Sequence, residues 1–398
     1  MATESKRTDG SGAEAEDAGA APAAADTRPQ TLQEPVPDAL PTPSALPQPQ
    51  IVPQPTRHPT WFRPVFVLAP ARSNSSVVSS MIGMHPELYG FPELSLFRDV
   101  TVAQLLASPP GWRGLPARTR TAGLARALAE LHEGKQDEAS VWRARHWLEC
   151  RPEWEAAAVF DHLLALVAPR VGLEKSPENS NREDYLERLE TAYPRCRFLH
   201  VTRHPVTTVQ SMYAAWSPLG LWMIPDELFH LHLLGTWLFH HARVKRFTES
   251  LPPDRWIRVR SEDVLNAPRE ELPRICRWLG IDHGDDAIEA MLHPEKSPYA
   301  RLGPRNAMGG NDPGFLEAPV PRQAVLPTTL DIPKEWVVDP WLYVSVVEFA
   351  ATLGYKNERA TRAATSGPQG TPRERSSVRP IGKAARAPTR RRRSGGRA

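Results

Sequence analysis

The chain has 398 residues, a formal net charge of +3 and three cysteines. That length suits one large α/β domain or two small ones, and so small a net charge excludes a chain that binds polyanions over its whole surface. Cys150, Cys196 and Cys276 are odd in number and lack CxxC or metal-like spacing, which excludes a disulfide framework and predicts buried thiols.

Residues 1–60 hold no aromatic residue and are crowded with Ala, Pro, Gln and Glu. Such a stretch cannot bury enough apolar surface to offset the entropy of ordering it, so a disordered, partly polyproline-like arm is expected. Met1–Arg7 lacks the apolar segment of a signal peptide, and no run of about eighteen apolar residues marks a membrane span. The expected location is cytoplasmic. Val65–Leu68 is a short apolar run bounded by prolines and reads as a buried strand. A small polar loop follows, Arg72-Ser73-Asn74-Ser75-Ser76, and then Val77, Val78, Met81, Ile82 and Met84 fall at helical spacing until Pro86 stops the helix. Residues 87–97 are mostly apolar around Glu93. Residues 118–169 read as three helices, 170–175 as a second strand, 182–193 as a helix and 197–202 as a third strand, with Pro205 in the first turn of the next helix. A fourth strand is expected at 256–260 and a helix at Pro268–Leu279, closed at Gly280. From Asn357 onward the chain is poor in apolar residues. Arg386 and Arg390 to Arg393 make it basic, which suits either a solvated tail or contact with an anionic surface.

Strands that alternate with helices predict an α/β fold with a central, mainly parallel sheet flanked by helices, in a folded domain over 61–356 between the arm and a disordered basic tail at 357–398. In such sheets ligands lie beyond the carboxyl ends of the strands, and the unusual polar residues here follow three of the predicted strands. Arg72, Ser73, Asn74, Ser75 and Ser76 stand where a helix begins. Backbone amides, hydroxyls and a guanidinium there attract an anion, although a plain Ser-rich helix cap has the same composition. The loop has no glycine and no lysine before its serines, so it lacks the G-x-x-x-x-G-K-[ST] signature of a nucleoside-triphosphate site. Arg203 ends the third strand and Ser211 lies about two helical turns later. They form a second anion grip or, for the arginine, a surface ion pair. Lys175 ends the second strand, where a lysine is costly unless paired; Glu174 and Glu178 are the partners nearest in sequence. Glu93 is either a structural hydrogen bonder or a general base. Glu87 reads as a surface or capping residue, and His85 and His204 as cap and packing residues.

The stretch from Leu68 through Arg72 and Ser76 to His85-Pro86 resembles the donor-binding loop of sulfotransferases that use 3′-phosphoadenosine 5′-phosphosulfate (PAPS). Glu87–Phe97, Leu173–Pro177, Phe198–Pro205 with Ser211, and Ser297–Asp312 are similar to further segments of bacterial members, in the same order over about residues 61–355. The sequence departs from the pattern at Ala71, Asn74, Ser75 and Ser76, where the family has Pro, Gly and a Thr pair. Asn tolerates a left-handed backbone and Ser keeps the hydroxyl donor. The resemblance implies a P-loop-like three-layer fold, PAPS as sulfuryl donor, and no metal. It implies that Arg72 to Ser76 hold the 5′-phosphate, that Arg203 and Ser211 hold the 3′-phosphate, and that Glu93 is the base. Lys175 and Arg72 would act on the transferred group. The acceptor is expected to be a small or carrier-bound molecule. Residues 99–169 and the rings Trp216, Trp222, Phe229, Trp237 and Phe239 are the expected shapers of its pocket. A P-loop-like kinase and a non-catalytic binding protein of the same fold are the alternatives.

Overall fold

Five strands form one sheet in the order β2-β3-β1-β4-β5, and every neighbouring pair is parallel. The structure is a computed structural model that describes residues 51–56, 62–107, 117–217, 225–327, 329–336 and 339–355. All lie in the unit Gln48–Ala398. The order begins β1 (Val65–Leu68), α1 (Ser75–Gly83), β2 (Leu88–Gly90), α2 (Val102–Ala107), α3 (Ala117–Arg120), α4 (Ala122–Glu133), α5 (Glu138–Glu149), α6 (Ala156–Val167) and β3 (Val171–Glu174). It continues through α7 (Glu183–Ala192), β4 (Arg197–Thr202), α8 (Pro205–Trp216), α9 (Asp226–Glu249), β5 (Trp256–Arg260), α10 (Ser261–Asn266) and α11 (Pro268–Leu279). The last helices are α12 (Asp285–Met291), α13 (Pro313–Glu317) and α14 (Pro340–Thr352).

The central strand β1 is a continuous apolar run because both of its faces are covered. Side chains alternate across a strand, so β1 feeds two cores. Phe66 and Leu68 join Phe198 and the apolar faces of α4 to α7, while Val65 and Val67 join Leu199, Val201, Val259 and residues of α1, α11 and α12. The layers are therefore helix, sheet, helix. A third cluster packs α8, α9 and α14 together through Met212, Trp216, Phe229, Trp237 and Val346. Gly280 closes α11 at φ 66°, the left-handed turn that glycine adopts without strain. Pro205 is the first residue of α8, where its missing N–H costs nothing.

The four predicted strands are present, and β2 is a fifth. Its three residues are too few to leave a periodic signal. Its pairing with β3, Leu88 opposite Val171 and Gly90 opposite Leu173, is a long-range contact that local pattern does not encode. The 118–169 stretch, read as three helices, holds α4, α5 and α6 and, at its start, all but one residue of the short α3. Cys196 and Cys276 are buried, but Cys150 is only half-buried. It is the C-cap of α5, at the rim of the helical layer, with its Sγ 3.6 Å from His146 Nε2. Within the stretch read as an arm, residues 51–56 lie against the α5–α6 connection. The Val52 N–H donates to the Cys150 carbonyl at 3.0 Å, and the Trp154 indole donates to the Val52 carbonyl at 2.7 Å. Residues 1–50 and the basic tail are outside the described residues. Among the described residues no helix is long and apolar enough to cross a membrane.

Candidate active site

The β1–α1 loop turns sharply at two residues with left-handed backbone, Arg72 (φ 67°) and Asn74 (φ 57°). Asn bears this conformation at little cost; for Arg it stores about 1–3 kcal/mol, a strain of the kind concentrated at ligand sites. Asn74 is the N-cap of α1 but makes no side-chain cap bond. Its amide instead donates to Ser261 Oγ at 3.2 Å, which ties the loop to the start of α10. The N–H groups of the first turn of α1 consequently have no cap from it and face the loop, as in helix-terminal anion sites. Ser73 is fully buried, and among the described residues its Oγ has no hydrogen-bond partner. An orphaned hydroxyl in a cradle of amides suits a phosphate oxygen.

Lys175 is 1 % exposed at the end of β3. Its Nζ donates to Ser76 Oγ at 2.8 Å and forms an ion pair with Glu93 Oε1. The pairing with Glu174 or Glu178 anticipated from sequence proximity is replaced by this longer-range one. Glu174 is committed elsewhere: it accepts from the Ser176 hydroxyl, from Asn179 Nδ2 at 2.8 Å and from the Leu94 N–H at 3.4 Å. Ser76 Oγ also accepts from the Asp312 N–H at 3.1 Å. With both lone pairs engaged, its own proton is left to be donated to a third group. Glu93 is held through its backbone. Its N–H donates to the Gly310 carbonyl at 2.7 Å, and the next residues are pinned by Glu174 and by Ser176 Oγ, which accepts from the Ser95 N–H at 2.9 Å.

Burial pushes the Glu174 carboxyl up to about 7 from its ordinary 4.5, against its hydrogen bonds from Ser176, Leu94 and Asn179. The folded protein thus keeps a proton that the unfolded chain releases above pH 4.5. That contribution to stability is complete below pH 4.5 and is lost as pH rises through 7. Glu174→Gln, which has no proton to lose, is expected to gain up to about 3 kcal/mol relative to the parent between pH 5 and pH 8, read by urea unfolding. A difference that stays flat or shrinks over that range would show Glu174 to be ionised in its scaffold.

At the end of β4, Arg203 Nη1 donates to the Arg72 carbonyl at 2.7 Å and its Nε to Thr207 Oγ1 at 3.3 Å. The Trp237 indole donates to the Arg203 carbonyl at 2.9 Å. Burial pulls the Arg203 guanidinium below its usual value; Glu262 opposes this and neighbouring Arg72 adds to it. Glu262, itself raised by burial, accepts from the His204 N–H at 2.7 Å and from the Tyr355 hydroxyl at 3.2 Å. Arg72 Nε donates to Ser211 Oγ at 3.1 Å, and its Nη1 pairs with Asp312. Ser211, expected beside Arg203, therefore rests against Arg72, and one cluster contains all three. Arg72, Lys175 and Arg203 lie at the carboxyl edge of β1, β3 and β4, with Asp312 and Glu93 paired to the first two; fixed cations of this kind suit an anionic ligand.

A family profile described as Sulfotransferase family matches residues 64–285. The chain belongs to the sulfotransferase family. No curated protein matches it significantly in sequence. Among solved structures it is similar to the sulfotransferase domain from the curacin biosynthetic pathway, with 19% identity over 75% of this chain and 99% of that one at a TM-score of 0.60. It is similar also to the sulfotransferase domain of the Synechococcus PCC 7002 olefin synthase, with 24% identity over 76% and 98% at a TM-score of 0.57. Both likenesses are of fold, and that fold is the P-loop-like α/β sandwich.

In this sulfotransferase direct contacts join Arg72, Arg203 and Ser211 in one set and Ser76, Lys175 and Glu93 in another, Asp312 bridges the two, and Ser73 and Ser75 are buried in the same loop. Sequence reading assigned no role to Asp312, Gly310, Ser261 or Glu262. For Asp312 a signal existed: an Asp before Pro313 marks a helix N-cap, which its Oδ1 is, accepting from the Gly314 and Phe315 N–H groups. Three of the five rings expected at an acceptor pocket pack in the core instead. Trp216, Phe229 and Trp237 are buried in the α8–α9–α14 core, Phe239 is exposed, and Trp222 lies outside the described residues. His85 is a packing residue, its Nε2 2.8 Å from the Asp282 carbonyl, and His204 is the buried N-cap of α8. The Glu87 carboxylate accepts from the Asp282 N–H at 2.8 Å, a capping contact at the surface.

Proposed function

We propose that this sulfotransferase takes its sulfuryl group from PAPS and passes it to a hydroxyl or amine of a small or carrier-bound acceptor. The observation that carries this reading is the contact of Arg203 with the Arg72 backbone, which brings two arginines that follow β4 and β1 together at one edge of the sheet. A nucleotide with phosphate on both its 5′ and 3′ positions has the matching charges. The Arg72–Ser76 loop, with the first-turn amides of α1 and the Ser76 proton, takes the 5′-phosphate; Arg203 takes the 3′-phosphate.

Transfer then needs one base and one cation. The acceptor oxygen or nitrogen forms a bond to sulfur as the bond from sulfur to the 5′-phosphate oxygen breaks. The electron pair of that bond stays on the phosphate, and the acceptor proton goes to Glu93. Glu93 suits the part because its carboxylate is paired with Lys175 yet remains 22 % exposed, within reach of an acceptor. Lys175 is fixed between Ser76 and Glu93; in this proposal it is the cation that neutralises charge developing on the sulfuryl and leaving oxygens. Retention of this linked pair favours a catalyst over a binding protein that only keeps the fold.

Calorimetry with adenosine 3′,5′-bisphosphate tests the reading. Binding without Mg²⁺ is expected, and Arg203→Ala is expected to weaken it about 30-fold or more, about 2 kcal/mol for losing one partner of a buried charged contact. Equal affinity in the variant would remove Arg203 from the site. Preference for ATP with Mg²⁺ over the bisphosphate would move the chain to phosphoryl transfer.

A further inference from the structure

Asp312 brings a second carboxylate, besides Glu93, into a cluster whose arginines suit an anionic ligand. Three separate bonds hold it there. Its N–H donates to Ser76 Oγ at 3.1 Å, its Oδ1 caps α13, and its Oδ2 pairs with Arg72 Nη1. The segment that carries it is anchored further back: Arg126, a fully buried arginine, donates to the Gly309 carbonyl, and the Gly310 carbonyl takes the Glu93 N–H. The carboxylate is thus delivered to the loop by the same stretch of chain that positions Glu93.

We propose that Asp312 is a built-in competitor for the 5′-phosphate end of the donor site, a residue that lowers the affinity of every 5′-phosphorylated nucleotide and so favours release of the bisphosphate product. This rests on the donor reading given above. A phosphate that binds the Arg72–Ser76 loop meets the guanidinium already paired. Either the carboxylate leaves Arg72, and that ion pair is lost, or both anions share one cation and repel each other. Both routes cost affinity. Orientation of Arg72 does not offset the cost, because Ser211 Oγ holds the guanidinium through Nε at 3.1 Å on its own. When product leaves, the carboxylate returns to the arginine. A ligand that engages only Arg203 escapes the penalty, since Asp312 has no contact with that residue among its hydrogen bonds.

The test uses the full chain and three ligands: adenosine 3′,5′-bisphosphate, adenosine 5′-monophosphate and adenosine 3′-monophosphate. Asp312→Asn keeps the helix cap, for which Asn is as good as Asp, and removes the charge. It is expected to bind the bisphosphate and the 5′-monophosphate about tenfold tighter and the 3′-monophosphate within about twofold of the parent. Asp312→Ser, which also caps a helix but is too short to reach Arg72, is expected to give the same pattern. Weaker or unchanged binding of the 5′-phosphorylated ligands by both variants would overturn the proposal, and so would an equal gain for the 3′-monophosphate. If the parent protein binds none of the three, it is the donor reading that falls.

Discussion

Glu93→Gln is expected to lower single-turnover transfer from labelled PAPS, to any acceptor the parent protein uses, by about 10²- to 10⁴-fold, the range a positioned general base supplies. The amide is nearly isosteric with the carboxylate, and the backbone bond from Glu93 to Gly310 does not depend on the side chain, so the segment stays in place. What changes is the proton acceptor and the counter-ion of Lys175. An almost fully buried ammonium that loses its carboxylate seeks another anion. Affinity for adenosine 3′,5′-bisphosphate is therefore expected to hold or to rise, which separates loss of the base from general damage to the site. Turnover within a few-fold of the parent would remove Glu93 from the chemistry. A joint loss of turnover and nucleotide binding would make it a structural residue.

How far the site is readable in the sequence depends on which contacts are local. The Arg72–Ser76 loop is legible because its function and its residues coincide: a strand, small polar residues and a helix start follow one another directly. The left-handed Asn74 follows from residue type, whereas the left-handed Arg72 does not, since nothing local makes an arginine accept φ 67°. The partner of Lys175 is the clearest case of a local rule failing. Glu174 and Glu178 are its nearest carboxylates along the chain, and yet Glu174 is spent on Ser176 and Asn179 while Glu93, just past β2, reaches Lys175 at the end of the neighbouring β3. The contacts of Asp312 with Arg72 and of Glu262 with the His204 backbone are hidden for the same reason, although the Asp312-Pro313 pair does announce a helix cap. Each is an ordinary acidic residue until folding sets it beside Arg72 or the His204 backbone. The fold suffers less, because its signals are periodic. β1 is an apolar run, β3, β4 and β5 carry enough apolar and β-branched residues to read as strands, and only the three-residue β2 at the sheet edge escapes. Aromatic residues misled in the other direction. Trp216, Phe229 and Trp237 form core between α8, α9 and α14, and a run of rings in a sequence does not say whether they meet each other or a ligand.

Lys175→Met separates what this lysine does for the fold from what it does for the reaction. Methionine fills a similar volume without a charge, and replacing a buried ionic group by a well-packed apolar one is often neutral or stabilising by about 1–4 kcal/mol. The melting temperature is therefore expected to stay level or to rise. Glu93, at 22 % exposure, can turn its freed carboxylate toward water, so no buried charge is left without a partner. The chemistry fares differently. Ser76 Oγ loses one of the two donors that fix its proton outward and keeps only the Asp312 N–H, and the fixed cation between donor and base is gone. Turnover is expected to fall about 10³-fold, in the range of a removed electrostatic stabiliser, with bisphosphate binding weakened about tenfold by the less ordered Ser76. A protein that melts higher and transfers little shows that the lysine is kept at a cost in stability for its role in the reaction. If Lys175→Met melts lower and still transfers at the parent's rate, the ion pair with Glu93 is scaffolding, and the cation acting on the sulfuryl group must be Arg72.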